Sequence, residues 1–124
     1  MSEKPKLLYV DDESVNLMLF EINFRDKYQV LTADNALKGL ALLDENKDIA
    51  AVISDMKMPH MSGIEYIRKA KDRYPAIPYF ILTGYDVTDE IQEALDRGLI
   101  LKCFQKPFNI IEIASSVEES INNK

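Results

Sequence analysis

The sequence predicts one α/β domain in which five parallel strands alternate with five helices. Apolar runs of strand length and amphipathic stretches of helix length follow one another five times, without a linker or low-complexity segment between them. The length of 124 residues fits one domain, and a hydrophobic content of 47% is sufficient for a buried core. Because such alternation produces right-handed crossovers, we expect a parallel sheet with helices on both faces.

The first predicted strand, Lys6–Val10, is nearly all apolar, as expected of a central strand that is covered on both faces. A helix is predicted from Ser14 to about Asp26, and its apolar spacing favours a buried face made of Val15, Met18, Leu19 and Ile22. The second strand is predicted at Tyr28–Ala33. Asp34 is the expected N-cap of the next helix, whose buried face consists of Ala36, Leu40 and Leu43.

The third predicted strand, Ile49–Ser54, is again apolar and is followed directly by Asp55. A loop over Met56–Ser62 comes next and is closed by Gly63. Because proline disfavours helical geometry in the residue before it, the third helix should end before Pro75. The residues expected to face the core from this helix are Ile64, Ile67 and Tyr74.

The fourth predicted strand, Pro78–Leu82, ends at Thr83. The helix after it runs roughly over Thr88–Arg97 and should stop at Gly98, a common helix terminator. Its inner face is small and consists of Ile91, Ala94 and Leu95.

The fifth predicted strand, Leu101–Gln105, is followed by Lys106 and Pro107. Asn109 should cap the last helix. The apolar residues of that helix fall in strong helical register at Ile110, Ile113, Ala114, Val117 and Ile121.

Five alternating units favour the flavodoxin-like strand order 2-1-3-4-5, in which the ends of the first and third strands lie side by side. Asp11 and Asp12 follow the first strand and Asp55 follows the third. Close carboxylates repel one another, so a proton or a cation is expected among them. Mg²⁺ suits such a site because it prefers oxygen ligands, whereas one His and one Cys cannot supply a structural zinc site.

Each acidic residue also has a plain structural interpretation. Asp11 and Asp12 can belong to an acidic first helical turn, and Asp55 can be a turn residue. The ends of the remaining strands favour a functional interpretation, since Thr83 and Lys106 bring a hydroxyl and a positive charge to the same edge. A cation, an ammonium and a hydroxyl around one carboxylate would stabilise a phosphoryl group in transfer, with Asp55 as the nucleophile.

Lys106 and Pro107 have a plain interpretation too, as a strand end followed by a breaker. Since X-Pro bonds adopt the cis form at low cost, a cis peptide bond at this position could direct the lysine back into the site. The sequence leaves the isomer open.

Taken together, these motifs resemble the receiver domain of two-component response regulators over the whole chain. The resemblance rests on Asp11-Asp12, on Asp55-Met-Lys-Met-Pro59 with Gly63 following, on Leu82-Thr83-Gly84 and on Lys106-Pro107-Phe108. These motifs stand in the family's order at the ends of successive strands. The resemblance implies a single receiver domain over 1–124, either alone or cut from a longer protein, with no output domain in this chain.

The resemblance also implies the roles of individual residues. Asp55 would accept a phosphoryl group from a histidine kinase or phosphotransfer protein, and Thr83 and Lys106 would contact the phosphoryl oxygens. Mg²⁺ would be held by Asp12, Asp55 and the backbone carbonyl of Lys57, with Asp11 helping through water. The chain would not be an enzyme beyond its own phosphorylation and slow dephosphorylation.

Cys103 and Tyr85 are two further positions expected near the site. Family members often have an aromatic residue three positions before the strand-five lysine, where this chain has Cys103, which we interpret as a small strand residue without a redox role. The signal would then travel by a different packing change around the fourth helix. Tyr85, two residues after Thr83, is expected at the mouth of the site, either in solvent or limiting the access of water to a phosphorylated Asp55.

The charge balance restricts the partners. Fifteen Lys and Arg against 21 Asp and Glu give a net charge of -6, so binding of nucleic acid or of an anionic membrane by this domain is not expected. With one cysteine and no apolar segment of membrane-spanning length, the expected location is the cytoplasm. The downstream partner would be another protein, which the sequence does not identify.

Other functions remain open at this point. A phosphorelay intermediate and a receiver segment of a hybrid kinase share every site residue with a phosphorylation-controlled binding module. An aspartate-nucleophile phosphohydrolase is a remote alternative, because such enzymes carry a second Asp two residues after the nucleophile and this chain has Lys57 there. Flavin binding is disfavoured, because acids stand where a phosphate-binding loop would follow the first strand.

Overall fold

The fold is known from a computed structural model, which describes residues 4–84 and 86–122. Five parallel strands form one sheet in the order β2-β1-β3-β4-β5, as predicted. Strands and helices alternate along the chain as β1 Lys6–Val10, α1 Ser14–Phe24, β2 Gln29–Ala33, α2 Ala36–Glu45, β3 Ile49–Asp55, α3 Gly63–Arg73, β4 Tyr79–Thr83, α4 Asp89–Asp96, β5 Lys102–Gln105 and α5 Ile110–Asn122.

The sheet separates two hydrophobic clusters, because alternate side chains of a strand point to opposite faces. One cluster joins the sheet to α2, α3 and α4, and the other joins it to α1 and α5. Neighbouring residues of β5 divide between them: Cys103 is half-buried and packs against the first cluster, whereas Phe104 belongs to the second and stacks on Phe80 with ring centroids 5.5 Å apart. The three-layer arrangement leaves the carboxyl ends of the strands open at one edge of the sheet.

The buried face of α1 differs from the prediction. Val15, Met18, Leu19 and Ile22 are 57%, 55%, 42% and 46% exposed, so the predicted core face lies on the surface. The helix is instead anchored by Phe20 and Phe24, which are buried and stack on each other with centroids 4.4 Å apart. Aromatic packing against Tyr9 of β1 and against Phe108, which precedes α5, therefore decides which side of α1 faces inward.

The N-cap of α2 differs from the prediction by one residue, whereas that of α5 is as predicted. The N-cap of α2 is Asn35, whose side chain accepts a hydrogen bond from the Lys38 backbone N–H at 2.9 Å. The expected cap, Asp34, instead forms an ion pair with the Lys38 side chain at 3.0 Å. Asn109 caps α5 as expected, since its side chain accepts a hydrogen bond from the Glu112 backbone N–H at 3.1 Å.

The end of α4 agrees with the prediction, and the buried face of α5 agrees with it in part. Gly98 follows α4 with a φ of 74°, a left-handed conformation that favours glycine and ends the helix. In α5, Ile113 and Val117 are buried, but Ile110 is 41% exposed and does not belong to the core.

Among the residues described, none of the helices combines the length and apolar character that a bilayer crossing needs.

Candidate phosphoryl-accepting site

Acidic side chains from two neighbouring strands meet at the carboxyl edge of the sheet. The ends of β1 and β3 are adjacent, with Val10 paired to Ser54 in the parallel register. Carboxylate oxygens of Asp11, Asp12 and Asp55 all lie within 4.8 Å of one another. Asp11 and Asp55 are buried and Asp12 is exposed, so the cluster extends from the interior to the surface.

Gly63 allows the end of β3 to reach this position. Its backbone N–H donates to the Met56 carbonyl at 2.8 Å, which folds the loop back onto the strand. A Cβ atom at this position would lie 2.2 Å from the Asp55 carbonyl oxygen and 2.8 Å from Ile81 Cδ1. The start of α3 therefore has to be a glycine if the backbone of Asp55 is to stay where it is.

Lys106 contributes a positive charge between two of the carboxylates. Its Nζ lies 3.2 Å from Asp11 Oδ2 and 3.2 Å from Asp55 Oδ1. The Lys106 backbone N–H also donates to the Thr83 carbonyl at 2.8 Å, which ties the end of β5 to the end of β4. The peptide bond between Lys106 and Pro107 is cis. The ammonium thus bridges Asp11, which follows β1, and Asp55, which ends β3.

Burial and charge alter the ionisation of this group of residues. Burial raises the pKa of the Asp55 carboxyl to about 6, and Asp11 adds to the rise, whereas Lys106 opposes it. Burial disfavours the charged form of Lys106, but the carboxylates of Asp55 and Asp11 outweigh that effect and raise the pKa of the ammonium. Near neutral pH the site therefore holds an ionised Asp55 beside a fixed cation.

The carboxylates lie beside a shallow depression of about 620 Å³. Asp12, Asp55 and Lys106 line it, together with Glu13, Lys57, Met58, Pro59 and Gly84. Asp55 itself is only 5% exposed. The depression is open and four or more of its lining side chains are charged, which suits a small charged group better than an apolar ligand.

The structure brings four of the predicted site residues together at the sheet edge. Asp11, Asp12, Asp55 and Lys106 are brought together, and Lys57 stands exposed at the rim. Thr83 is buried at the end of β4, next to Gly84 of the rim. Tyr85 lies outside the described residues.

Three further contacts to Asp11 were not predicted. Its Oδ2 accepts hydrogen bonds from the Tyr9 hydroxyl at 2.5 Å and from Asn16 Nδ2 at 3.2 Å, and its Oδ1 accepts one from the Glu13 backbone N–H at 3.0 Å. Tyr9 could have been found from the strand alternation, since residues two apart in a strand share a face. Asn16 gave no comparable signal, because an Asn in a first helical turn is common without any function.

The oxygen-rich cluster fits a hard divalent cation. Mg²⁺ binds through one or two carboxylates while keeping several waters, and Asp12 and Asp55 offer carboxylates at an open edge. Asp11 is surrounded by donors through both of its oxygens, which suits a contact to the ion through water. Among the described residues, the site contains no imidazole or thiolate that would favour zinc.

Comparisons with known proteins identify the family of the chain. Residues 7–118 match the family described as the response regulator receiver domain. The sporulation initiation phosphotransferase F of Bacillus subtilis (strain 168) is 36% identical over 116 residues, which cover 92% of this chain and 91% of that protein. The hydrogenase transcriptional regulatory protein HoxA of Bradyrhizobium diazoefficiens is 27% identical over 121 residues, which cover 98% of this chain but 25% of that regulator.

A solved structure gives the same result for the fold. The response regulator receiver domain protein from Clostridium thermocellum has a TM-score of 0.90 and 33% identity, with 96% of this chain and 95% of that chain covered. Sequence and fold thus point to one family over almost the full length described. The chain belongs to the receiver domain family of two-component response regulators.

Proposed function

We propose that the chain accepts a phosphoryl group on Asp55 in a Mg²⁺-dependent reaction and that this modification switches a protein-binding face. The observation that carries the proposal is the contact of Asp55 Oδ1 with Lys106 Nζ at 3.2 Å beside the oxygens of Asp11 and Asp12. A nucleophilic carboxylate, a fixed cation and an acidic cluster are the groups that phosphoryl transfer needs in one place.

The chemistry assigned to each residue follows from its charge and position. An oxygen of the ionised Asp55 attacks the phosphorus atom, and the bond from phosphorus to the donor atom breaks with its electron pair leaving on the donor. Lys106 stabilises the negative oxygens of the phosphoryl group in the transition state, and the Thr83 hydroxyl is proposed to donate a hydrogen bond to one of them. Asp11, Asp12, Asp55 and the Lys57 carbonyl would hold Mg²⁺, which when bound screens the repulsion between the phosphoryl group and the carboxylates.

Incubation with acetyl phosphate and Mg²⁺, followed by intact mass measurement, tests the proposal. We expect the mass of one added phosphoryl group in the parent protein. The addition should disappear in Asp55→Asn and in the presence of a chelator. Modification that persists in Asp55→Asn would mean that the nucleophile is a different residue.

The metal assignment has its own control. Asp12→Ala removes an exposed carboxylate of the cluster and should weaken Mg²⁺ binding about tenfold, since it removes one anionic ligand of few. Asp86→Ala, an exposed Asp outside the cluster, should leave the affinity unchanged. An unaltered affinity in the Asp12 variant would refute its role as a ligand.

We infer that the donor is a histidine kinase or a phosphotransfer protein and that the protein acts in the cytoplasm. The partner that reads the modification is inferred to be another protein, because the net charge of -6 disfavours nucleic acid and anionic membranes. We propose that 1–124 is one receiver domain. Its relatives support both a stand-alone protein and a receiver within a longer chain, since it covers 91% of the phosphotransferase but 25% of HoxA.

A phosphorelay intermediate is the second candidate function, and the similarity to a protein named phosphotransferase favours it. In that case the phosphoryl group on Asp55 would move on to a histidine of another protein. Protein phosphorylated on Asp55 with labelled phosphate should then lose the label to a histidine-containing phosphotransfer protein faster than to water. Equal rates with and without the acceptor would leave the switch as the only function of the two.

A phosphohydrolase is the least supported candidate. Lys57, two residues after Asp55, presents an ammonium at the rim where such an enzyme needs a carboxylic acid. We therefore propose a switch whose only chemistry is its own phosphorylation and slow dephosphorylation. Repeated turnover of p-nitrophenyl phosphate, lost in Asp55→Asn, would contradict this.

A further inference from the structure

The hydroxyl of Tyr9 is directed into the site from the core. Tyr9 lies near the carboxyl end of β1 and is fully buried, and its ring stacks on Phe20 with centroids 4.2 Å apart and an interplanar angle of 17°. The hydroxyl donates a hydrogen bond to Asp11 Oδ2 at 2.5 Å. Because burial and the stacking on Phe20 hold the ring in place, the position of the hydroxyl oxygen relative to Asp11 is fixed.

The oxygen that accepts this hydrogen bond is the one that holds Lys106. Asp11 Oδ2 lies 3.2 Å from Lys106 Nζ, and the same ammonium lies 3.2 Å from Asp55 Oδ1. Asp11 Oδ1 is turned the other way and accepts from the Glu13 backbone N–H. A chain of contacts therefore runs from Tyr9 through Asp11 and Lys106 to the proposed phosphoacceptor.

Packing does not by itself explain why a hydroxyl is present at this position. Tyr66 is as deeply buried in the opposite cluster, and its hydroxyl has no hydrogen-bond partner among the described residues. The Tyr9 hydroxyl thus differs from that of Tyr66 in being hydrogen-bonded to a carboxylate. Burial, reinforced by Asp11, raises the pKa of Tyr9, so its hydroxyl keeps the proton that it donates.

We propose that Tyr9 is a positioning residue of the site, whose hydroxyl fixes the Asp11 carboxylate so that Oδ2 holds Lys106 beside Asp55. This inference rests on the proposed function and deepens it. The hydroxyl also draws negative charge from Asp11, so it weakens the attraction of the acidic cluster for a divalent cation. One group thus aligns the ammonium and at the same time moderates metal binding.

Tyr9→Phe separates these two effects, since it keeps the stacked ring and removes only the hydroxyl. At saturating Mg²⁺, phosphorylation by acetyl phosphate should become about tenfold slower, the size expected for loss of an outer-shell hydrogen bond. The Mg²⁺ dissociation constant, measured by calorimetry without a phosphodonor, should fall about threefold because one charge-assisted hydrogen bond no longer competes with the cation. A loosened fold would instead slow phosphorylation and weaken Mg²⁺ binding together.

Two comparisons make the assignment specific. Tyr66→Phe removes the hydroxyl of an equally buried tyrosine and should change neither quantity. On an Asp11→Asn background, Tyr9→Phe should change the Mg²⁺ affinity less than twofold, because the hydroxyl acts through the carboxylate. An effect of Tyr9→Phe that survives on this background would overturn the proposal, as would unchanged rate and affinity or a parallel loss of both.

A measurement on the parent protein keeps the test independent of the variants. With selectively labelled tyrosine, the Tyr9 hydroxyl proton should give a downfield NMR signal that shifts when Mg²⁺ is added. The absence of any shift at saturating Mg²⁺ would overturn the link to the metal cluster. If the parent is not phosphorylated at all, the proposed function fails, whereas the Mg²⁺ affinities and the NMR signal still decide the role of Tyr9.

Discussion

The ammonium nitrogen of Lys106 lies 3.2 Å from the Oδ1 atom of Asp55 and is the positive charge that offsets the burial of that carboxylate. The same nitrogen contacts Asp11 at an equal distance of 3.2 Å. In the proposed function, Lys106 would compete with a divalent cation for the acidic cluster and would also stabilise the phosphoryl group.

Lys106→Met should uncouple these two roles. Without the ammonium, the pKa of Asp55 should rise further and Mg²⁺ should bind more tightly, because the cluster carries more uncompensated negative charge. Phosphorylation by acetyl phosphate should fall about 100-fold, as for the loss of one preorganised donor to transition-state charge. Calorimetry and a phosphorylation time course measure the two effects, and Lys102→Met, at an exposed lysine in the strand that precedes Lys106, is the control.

Asp55→Asn should change how stability depends on pH. In the folded parent the pKa of Asp55 is raised from 3.8 to about 6, so its contribution to stability is full below about pH 4 and is lost as the pH rises through 6. With a chelator present at pH 8, the variant should be more stable than the parent by about 1 to 3 kcal/mol, from roughly 1.4 kcal/mol per pKa unit. Urea unfolding at pH 8 and at pH 4 measures the difference, which should shrink at the lower pH.

Mg²⁺ should narrow that difference in stability. A cation that binds only the folded parent at ten times its dissociation constant stabilises it by about 1.4 kcal/mol, whereas Asp55→Asn should gain less. The midpoints of thermal unfolding with and without Mg²⁺ provide the measurement. An equal gain in both proteins would place the ion away from Asp55.

Gly63→Ala should be strongly destabilising. The added methyl group would lie 2.2 Å from the Asp55 carbonyl oxygen, so either α3 or the end of β3 has to move. The expected loss of stability is about 3 kcal/mol or more, the upper range for overpacking at a rigid position. Gly84→Ala is the control, because its Cβ would meet only Lys106 Cδ at 3.9 Å and should leave the urea midpoint unchanged.

Tyr66→Phe should stabilise the protein. The Tyr66 hydroxyl is buried without a hydrogen-bond partner among the described residues, so its removal should raise the free energy of unfolding by about 1 kcal/mol. The Tyr79 hydroxyl donates to the Tyr74 carbonyl at 2.9 Å, and Tyr79→Phe should have the opposite sign. Urea unfolding of both variants provides the test, and a destabilised Tyr66→Phe would contradict the assignment.

The sheet order and the gathering of Asp11, Asp12, Asp55 and Lys106 could be predicted because they depend on alternation and on where strands end. The buried face of α1 could not, because that helix carries apolar residues on more than one side. Spacing alone then does not tell Val15 from Phe20. The choice is made by the stacking of Phe20 on Tyr9 of β1, which is a tertiary contact.

The site's supporting contacts were missed for a related reason. In the sequence Tyr9 is one residue of an apolar strand, and only the strand alternation, which places it on the same side as Asp11, distinguishes its hydroxyl from that of Tyr66. Similarly, Asp34 and Asn35 are neighbouring residues that both favour N-caps, and the decision between them depends on the ion pair of Asp34 with Lys38. Contacts between side chains, rather than patterns along the chain, decide these details.

The small exposed fraction of Asp55 has a consequence for any protein that donates to it. A flat surface placed over the depression would stop short of the carboxylate, which is 5% exposed and stands beside the bulkier side chains of the rim. In the proposed function, the phosphorus atom would have to arrive at the tip of a protruding side chain, and a phosphorylated imidazole has that shape. Steric reach, before any attraction between the two proteins, would then restrict which donors can react.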